Sequence, residues 1–303
     1  MTVFYLTIVL FFLILTGFTA RKLNVVDEGF AKNLSSFLFN IAYPALIIKS
    51  MQFSFTADSL ITSSRLVVLS IFVLIISWLV AKLVNKAVKS NSATQGVTTF
   101  AIMYSNFTFM AFPVVEELYG REMLFYLAIF TMTLRIAYST HGVNIIARSM
   151  KEKTAVSLKS VINPPVVAII VGLTLYLFSI KLPYPIARTI EMLSQTVSPL
   201  GMVVAGLILA ELNFKEIFKG YRAYIISFAR LVIIPIIVFL TVRLLGLPDI
   251  ERQIAVIVSA MPVASVSVII SAKYGADRKL AAQATFISTL FSVITVPLIS
   301  LII

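Results

Sequence analysis

Two stretches decide the fold: Tyr104-Ser105-Asn106-Phe107-Thr108-Phe109-Met110-Ala111-Phe112-Pro113 and Ser259-Ala260-Met261-Pro262-Val263-Ala264-Ser265-Val266-Ser267. Each lies inside a long apolar run and sets a proline among small polar residues. Proline removes one backbone donor and displaces the carbonyl four residues earlier, so a helix kinks or unwinds there. In hydrocarbon the freed groups have no water to bind, so such a break has to be buried in protein or line a cavity. A packing kink is the plainer reading of either stretch alone. Two breaks in corresponding places point instead to a binding site near the bilayer midplane, where half-helix N-termini turn unpaired N–H groups toward an anion.

The corresponding places follow from the rest of the chain. Of its 303 residues 59% are hydrophobic and 13% charged, against roughly 25% charged in soluble domains. That is too little polarity to cover a water-soluble surface, and apolar runs of about the 20 residues that cross a bilayer recur throughout. They give helices near 3–19, 34–51, 66–84, 95–115, 122–147, 162–180, 190–210, 222–245, 253–273 and 281–302. Short connections make neighbouring helices antiparallel and leave no room for a further domain. The run from Val3 to Phe18 has no basic segment before it and Arg21-Lys22 after it, which reads as a first membrane helix and not a cleaved signal.

The net charge of +12 sits on short connections without interleaved aromatics, which argues against nucleic acid as a partner. Connections 1–2, 3–4, 5–6, 7–8 and 9–10 hold sixteen Lys and Arg, among them Lys82, Lys86, Arg148, Lys153, Lys159 and Lys215, and the other side holds seven. The positive-inside rule then makes this a multi-pass protein of the cell membrane with both termini outside. The halves echo each other at an offset of 155 residues, Gly17 with Gly172 and Tyr119-Gly120 with Tyr274-Gly275. Five helices per copy is an odd number, so residues 1–150 and 151–303 are expected to be inverted repeats.

Together with Asn40-Ile41-Ala42-Tyr43-Pro44 in helix 2, Asn163-Pro164-Pro165 opening helix 6 and Ser198-Pro199-Leu200-Gly201 in helix 7, the two stretches resemble the auxin efflux carrier family of membrane transporters. The similarity covers the whole chain. It implies an all-α integral membrane fold of ten helices in two inverted repeats, with helices 4 and 9 unwound at prolines where they cross. It also implies transport of organic anions such as auxin, malate or malonate. By resemblance Asn106 and Pro113 belong to the helix 4 crossover and Pro262 to the helix 9 crossover. Ser105, Thr108, Ser265, Asn40 and Tyr43, from the same segments, join the candidate substrate site. Where many members carry glycines around the asparagine, this chain has Ser105, Thr108 and Ala111, which stay small but leave the backbone less room to approach a substrate.

Helix 5 adds Thr131, Arg135, Tyr138 and Gly142, whose spacing puts them on one helical face. A charge as deep as Arg135 costs about 2.5 to 3.5 kcal/mol on insertion scales, so it should face the bundle interior or water. It is either a counter-charge for a substrate carboxylate or an arginine bonded to helix-end carbonyls, and both readings stand. Arg135 and Tyr138 complete the site list. Arg230, closer to its helix end, reads as structural. Thr285, Ser288, Thr289, Ser292 and Thr295 make a polar stripe on helix 10 that reads as packing glue. His141 is either a proton relay or a local hydrogen-bond partner, and Tyr119, Tyr274 and Trp78 are candidate interfacial anchors.

The only histidine and the lack of cysteine exclude multi-histidine and thiolate metal sites, so neither metal nor cofactor is expected. Glu116, Glu117 and Glu211 all lie near helix ends, which removes the usual mid-membrane carboxylate for ion coupling. The coupling ion, proton or sodium, is left open, as is a homodimer. Without an acid–base pair or an activated nucleophile the chain does not read as an enzyme. The expected function is a secondary transporter or facilitator of small organic anions working by alternating access. The alternatives are a sodium-coupled symporter of the bile-acid type and a transport-inactive membrane sensor or scaffold.

Overall fold

The computed structural model describes residues 2–27, 29–52, 57–151, 163–210 and 218–303, and they are helical, without a strand. The basic residues Lys153, Lys159 and Lys215, and Glu211, lie outside the described residues. Helix α1 spans Thr2–Lys22, α2 Phe30–Phe37, α3 Tyr43–Ser50 and α4 Ala57–Ala87. Then come α5 Ser92–Met103, α6 Phe112–Tyr119, α7 Met123–Ala137 and α8 Val143–Ser149. The second half has α9 Pro164–Leu177, α10 Tyr184–Gln195, α11 Val197–Ala210, α12 Tyr221–Phe228 and α13 Ile234–Leu244. Helices α14 Asp249–Ala260, α15 Val266–Lys273 and α16 Arg278–Ser300 close the chain. Among the described residues, five helical stretches are long and apolar enough to cross a membrane: Asp58–Ala87, Met123–Ser149, Tyr184–Ala210, Tyr221–Leu244 and Arg278–Ser300.

Local chemistry sets the helix ends. Asn91 and Thr94 form a reciprocal capping box at the start of α5, and Asn163 caps α9 ahead of Pro164 and Pro165, whose missing N–H groups cost nothing in a first turn. The echoing Tyr-Gly pairs have a common cause. Gly120 (φ +86) and Gly275 (φ +66) take the left-handed backbone just past the ends of α6 and α15, where a side chain would be strained.

Three of the prolines inside the long rods follow widened turns, whereas Pro297 sits in the last turns of α16 without one. The π turns Leu38–Ala42, Phe107–Ala111 and Ala229–Ile233 each end two residues before a proline, Pro44, Pro113 and Pro235. One extra residue in the turn relieves the clash and rehouses the carbonyl that proline cannot serve. Pro113 therefore sits in a continuing helix. The non-helical interruption of this rod lies earlier, at Tyr104–Asn106, whereas the second rod opens around Pro262 itself, between Ala260 and Val266.

Packing fixes how the rods approach one another. Helix α1 lies against α11 so closely that a Cβ at Gly17 would stand 2.0 Å from the Val203 carbonyl oxygen and one at Gly206 1.9 Å from that of Ile14. Small residues let membrane helices bring their backbones into contact in this way. On the opposite pair, α9 packs on α3, and a Cβ at Gly172 would meet Met51 Sδ at 2.5 Å. Connections gather at two ends. At one, Arg222 Nη2 donates to the Val88 carbonyl (3.3 Å) and Asp277 N to that of Ala93 (3.1 Å). At the other, Leu182 N donates to Gln52 Oε1 and Arg121 pairs with Glu191.

The reciprocal glycine contact yields a first prediction. Gly206→Ala should force α1 and α11 apart and cost about 1–3 kcal/mol, as overpacking does. Thermal denaturation in detergent reads this as a lowered midpoint, and an unchanged midpoint would contradict the close approach.

Candidate functional site

The two interrupted rods cross at their interruptions. Asn106 N donates to the Pro262 carbonyl (2.7 Å) and Ala264 N to that of Tyr104 (3.1 Å), an antiparallel bridge pairing Ser105 with Val263. Each break thus supplies partners for the other's backbone, which lipid could not. Ser288 Oγ accepts from Val263 N (3.0 Å), and Ser105 Oγ donates to the Val258 carbonyl (3.2 Å). The polar stripe of α16 serves the break directly through Ser288, while Ser267 and Thr285 share a hydrogen bond beside it.

The C-terminal ends of α5 and α14 leave carbonyls unpaired and concentrate partial negative charge. Arg230 answers both. Its guanidinium, fully buried, donates from Nη1 to Ile102 (2.9 Å), from Nη2 to Val258 (3.2 Å) and from Nε to Met261 (3.1 Å) carbonyl oxygens. These bonds agree with its reading as a structural arginine, and it occupies the π turn within the 221–244 rod.

The N-terminal ends of the following half-helices border a cavity of about 410 Å³. Ser105, Asn106 and Thr108 line it from one side of the crossing and Ala264, Ser265 and Val266 from the other. Arg135, Tyr138 and Asn40 also reach its wall, Lys32, Ser35 and Ser36 come from α2, and Phe39, Phe107, Phe109, Val204, Ile208 and Ile269 supply apolar surface. No carboxylate is in the lining among the described residues. Asn106 is 6% exposed, and its carboxamide has no partner among the described residues.

Arg135 does not bond to helix-end carbonyls. One of its five N–H donors reaches Thr108 Oγ1 at 2.8 Å, and the guanidinium lies 4.1 Å from the centre of the Tyr43 ring and 5.3 Å from that of Phe107. Aromatic faces attract a cation without neutralising it. The guanidinium lines the cavity with no anionic partner among the described residues. Of the remaining expected site residues, Tyr43 stands behind Arg135, Asn40 is tied to Ser36 by its amide, and Pro113 and Pro262 shape the backbone without lining the cavity. Thr131 shares the helical face of Arg135 but turns its hydroxyl back to the Leu127 carbonyl, away from the cavity wall.

Several residues were not legible in advance. Tyr104, in the break itself, places its hydroxyl 3.1 Å from His141 Nδ1 and from the Ala137 carbonyl, and Gly142 leaves room for its ring. Glu251 is a buried acid. It sits in the first turn of α14, 3.5 Å from Arg65, well away from the cavity wall.

Known proteins place this architecture. Residues 2–300 match the family described as membrane transport protein. An uncharacterized transporter of Methanocaldococcus jannaschii is 25% identical over 96% of both chains. A protein of Rhizobium meliloti, provisionally named a malonate transporter, is 26% identical over 94% of this chain and 91% of its own length. The uncharacterized transporter YfdV of Escherichia coli is 22% identical over 94% and 93%. The chain belongs to the membrane transport protein family, the family of the auxin efflux carriers.

Proposed function

We propose that this protein carries small organic anions, carboxylates of the size of malate, malonate or auxin-like acids, across the membrane by alternating access. The observation that carries this reading is the pair formed by the unpartnered Asn106 carboxamide and the uncompensated Arg135 charge in one cavity. A carboxylate accepts from both at once, and the flanking half-helix N-termini add favourable field. The aromatic and aliphatic walls suit the carbon body of the acid. Among the described residues no carboxylate in the lining repels an anion. The malonate name of the Rhizobium meliloti relative agrees with this class.

In the same proposal the chain makes ten membrane helices in two inverted five-helix repeats, 1–150 and 151–303, with both termini outside. Support comes from equivalent contacts in the two halves. The first helix meets the seventh at Gly17, and the sixth meets the second at Gly172. The interrupted fourth and ninth rods cross, as equivalent elements related by a two-fold axis do. Rocking of the crossing bundle against the bundle of α1 and α11 would expose the cavity to alternate sides.

A thermal-shift panel of mono- and dicarboxylates on purified protein tests the substrate class: carboxylates should stabilise it and matched neutral amides should not. Asn106→Ala should weaken the best ligand by roughly tenfold or more, the worth of a hydrogen bond to a charged group, with the ligand-free midpoint little changed. Arg135→Gln should abolish preference for a dicarboxylate over a monocarboxylate. Unaltered affinity for both ligand classes in Arg135→Gln would assign the charge preference to the helix ends alone.

Orientation has its own check, because the chain has no native cysteine. An impermeant maleimide added to intact cells should label Lys181→Cys and spare Lys219→Cys. The reverse pattern would overturn the proposed topology.

A further inference from the structure

A second cavity, of about 600 Å³, opens between α4, α5 and α8, apart from the crossing. Its chemistry is unlike that of the first. Lys82, Lys86 and Arg148 line it together with His141, Asn85, Ser90, Gln95, Thr99 and Ser149, and no acidic residue does among the described residues. None of the three cations has an anionic partner among the described residues. Two of the lining residues each carry a buried polar atom without a hydrogen bond among the described residues, Asn85 Oδ1 and Ser90 Oγ. Buried polar atoms without partners are rare and call for a missing ligand or water. Here they are of opposite use: a serine hydroxyl can donate to a phosphate oxygen, while an amide oxygen can only accept, and needs a hydroxyl or amine.

The helix that carries Lys82 and Lys86 also has an apolar outer surface. Ile71, Ile75, Leu79 and Leu83 repeat at every fourth position and are exposed, Leu83 to 68%, so they form one apolar stripe along the helix. The stripe ends where Trp78 carries Lys82 Nζ 3.6 Å above its ring, an aromatic–cation pair of the kind found at the headgroup level. A free phosphate has no use for the stripe, and a hydrocarbon chain has none for the cations. One molecule satisfies both.

We propose that this cavity binds the headgroup of an anionic phospholipid bearing free hydroxyls, with its acyl chains along the Ile71–Leu83 stripe. Lys82, Lys86, Arg148 and Ser90 hold the phosphate, and Asn85 Oδ1 takes a headgroup hydroxyl. Basic pockets between membrane helices are suited to such headgroups. The site reaches toward the crossing: His141 lines this cavity and bonds to Tyr104, which lines the other. The proposal does not depend on what the protein transports.

The test uses delipidated full-length protein in neutral detergent, with bound lipid counted by native mass spectrometry. The probes are dioleoyl phosphatidylglycerol, dioleoyl phosphatidylcholine, glycerol phosphate and inorganic phosphate. Phosphatidylglycerol should be retained in preference to phosphatidylcholine. Changing Lys82, Lys86 and Arg148 together to Gln should lower its affinity on the order of a hundredfold, and Arg148→Gln alone should lower it severalfold. Changing Lys22, Lys219 and Lys273 to Gln, which removes equal charge away from the cavity, should leave the preference intact. Equal retention of phosphatidylglycerol by both triple variants would overturn the site. Displacement of the lipid by millimolar glycerol phosphate or inorganic phosphate would overturn the lipid assignment in favour of a soluble phosphate compound.

Discussion

A single guanidinium closes the problem that two broken helices create. Ending α5 and α14 in the interior leaves carbonyl groups of both without intrahelical partners and brings two negative dipole ends together. Left alone, each unsatisfied group would cost on the order of 1–3 kcal/mol. Arg230 donates to three carbonyls at these ends, on Ile102, Val258 and Met261, of which Val258 also accepts from Met261 N and Ser105 Oγ. The bridge between Ser105 and Val263 supplies the remaining backbone bonds. With the C-terminal ends neutralised from below, the N-terminal ends of the next half-helices are free to face the cavity.

The two buried arginines consequently divide the work. Arg230 spends three of its five N–H donors on backbone oxygens and does not line the cavity. Arg135 spends one hydrogen bond on Thr108 and is otherwise held by the Tyr43 and Phe107 rings. It keeps its charge and most of its donors turned to the space where Asn106 also waits. Positive charge beneath the crossing stabilises the protein itself; positive charge beside it is available to an anion.

Composition and hydropathy made the membrane class legible, because an apolar span of the right length has few other uses. The breaks were legible from proline among small polar residues, and the resemblance pointed to Asn106. The position of the first break was not. Pro113 predicts an interruption at itself, but a π turn absorbs it, and the chain opens instead at Tyr104–Asn106. The 155-residue offset shared by the Tyr-Gly pairs likewise puts Ser105 opposite Ala260, three residues short of its true partner Val263. The part played by Arg230 was hidden for a plainer reason. Its partners are backbone oxygens distant in sequence, Ile102 by 128 residues, and a carbonyl has no side-chain identity for a motif to record. Arg135 could be placed on a face but not given its surroundings, since Tyr43 comes from α3 and Thr108 and Phe107 from the π turn Phe107–Ala111.

The central claim is that Arg230 holds the crossing closed against its own dipoles. Hydrogen–deuterium exchange over the peptides covering Met103–Phe107 and Met261–Val266, compared between the unaltered protein and Arg230→Gln, tests it most directly. Exchange should rise at both breaks together, while peptides from the α1–α11 contact keep their protection. Unchanged protection at both breaks in a folded Arg230→Gln protein would contradict the account.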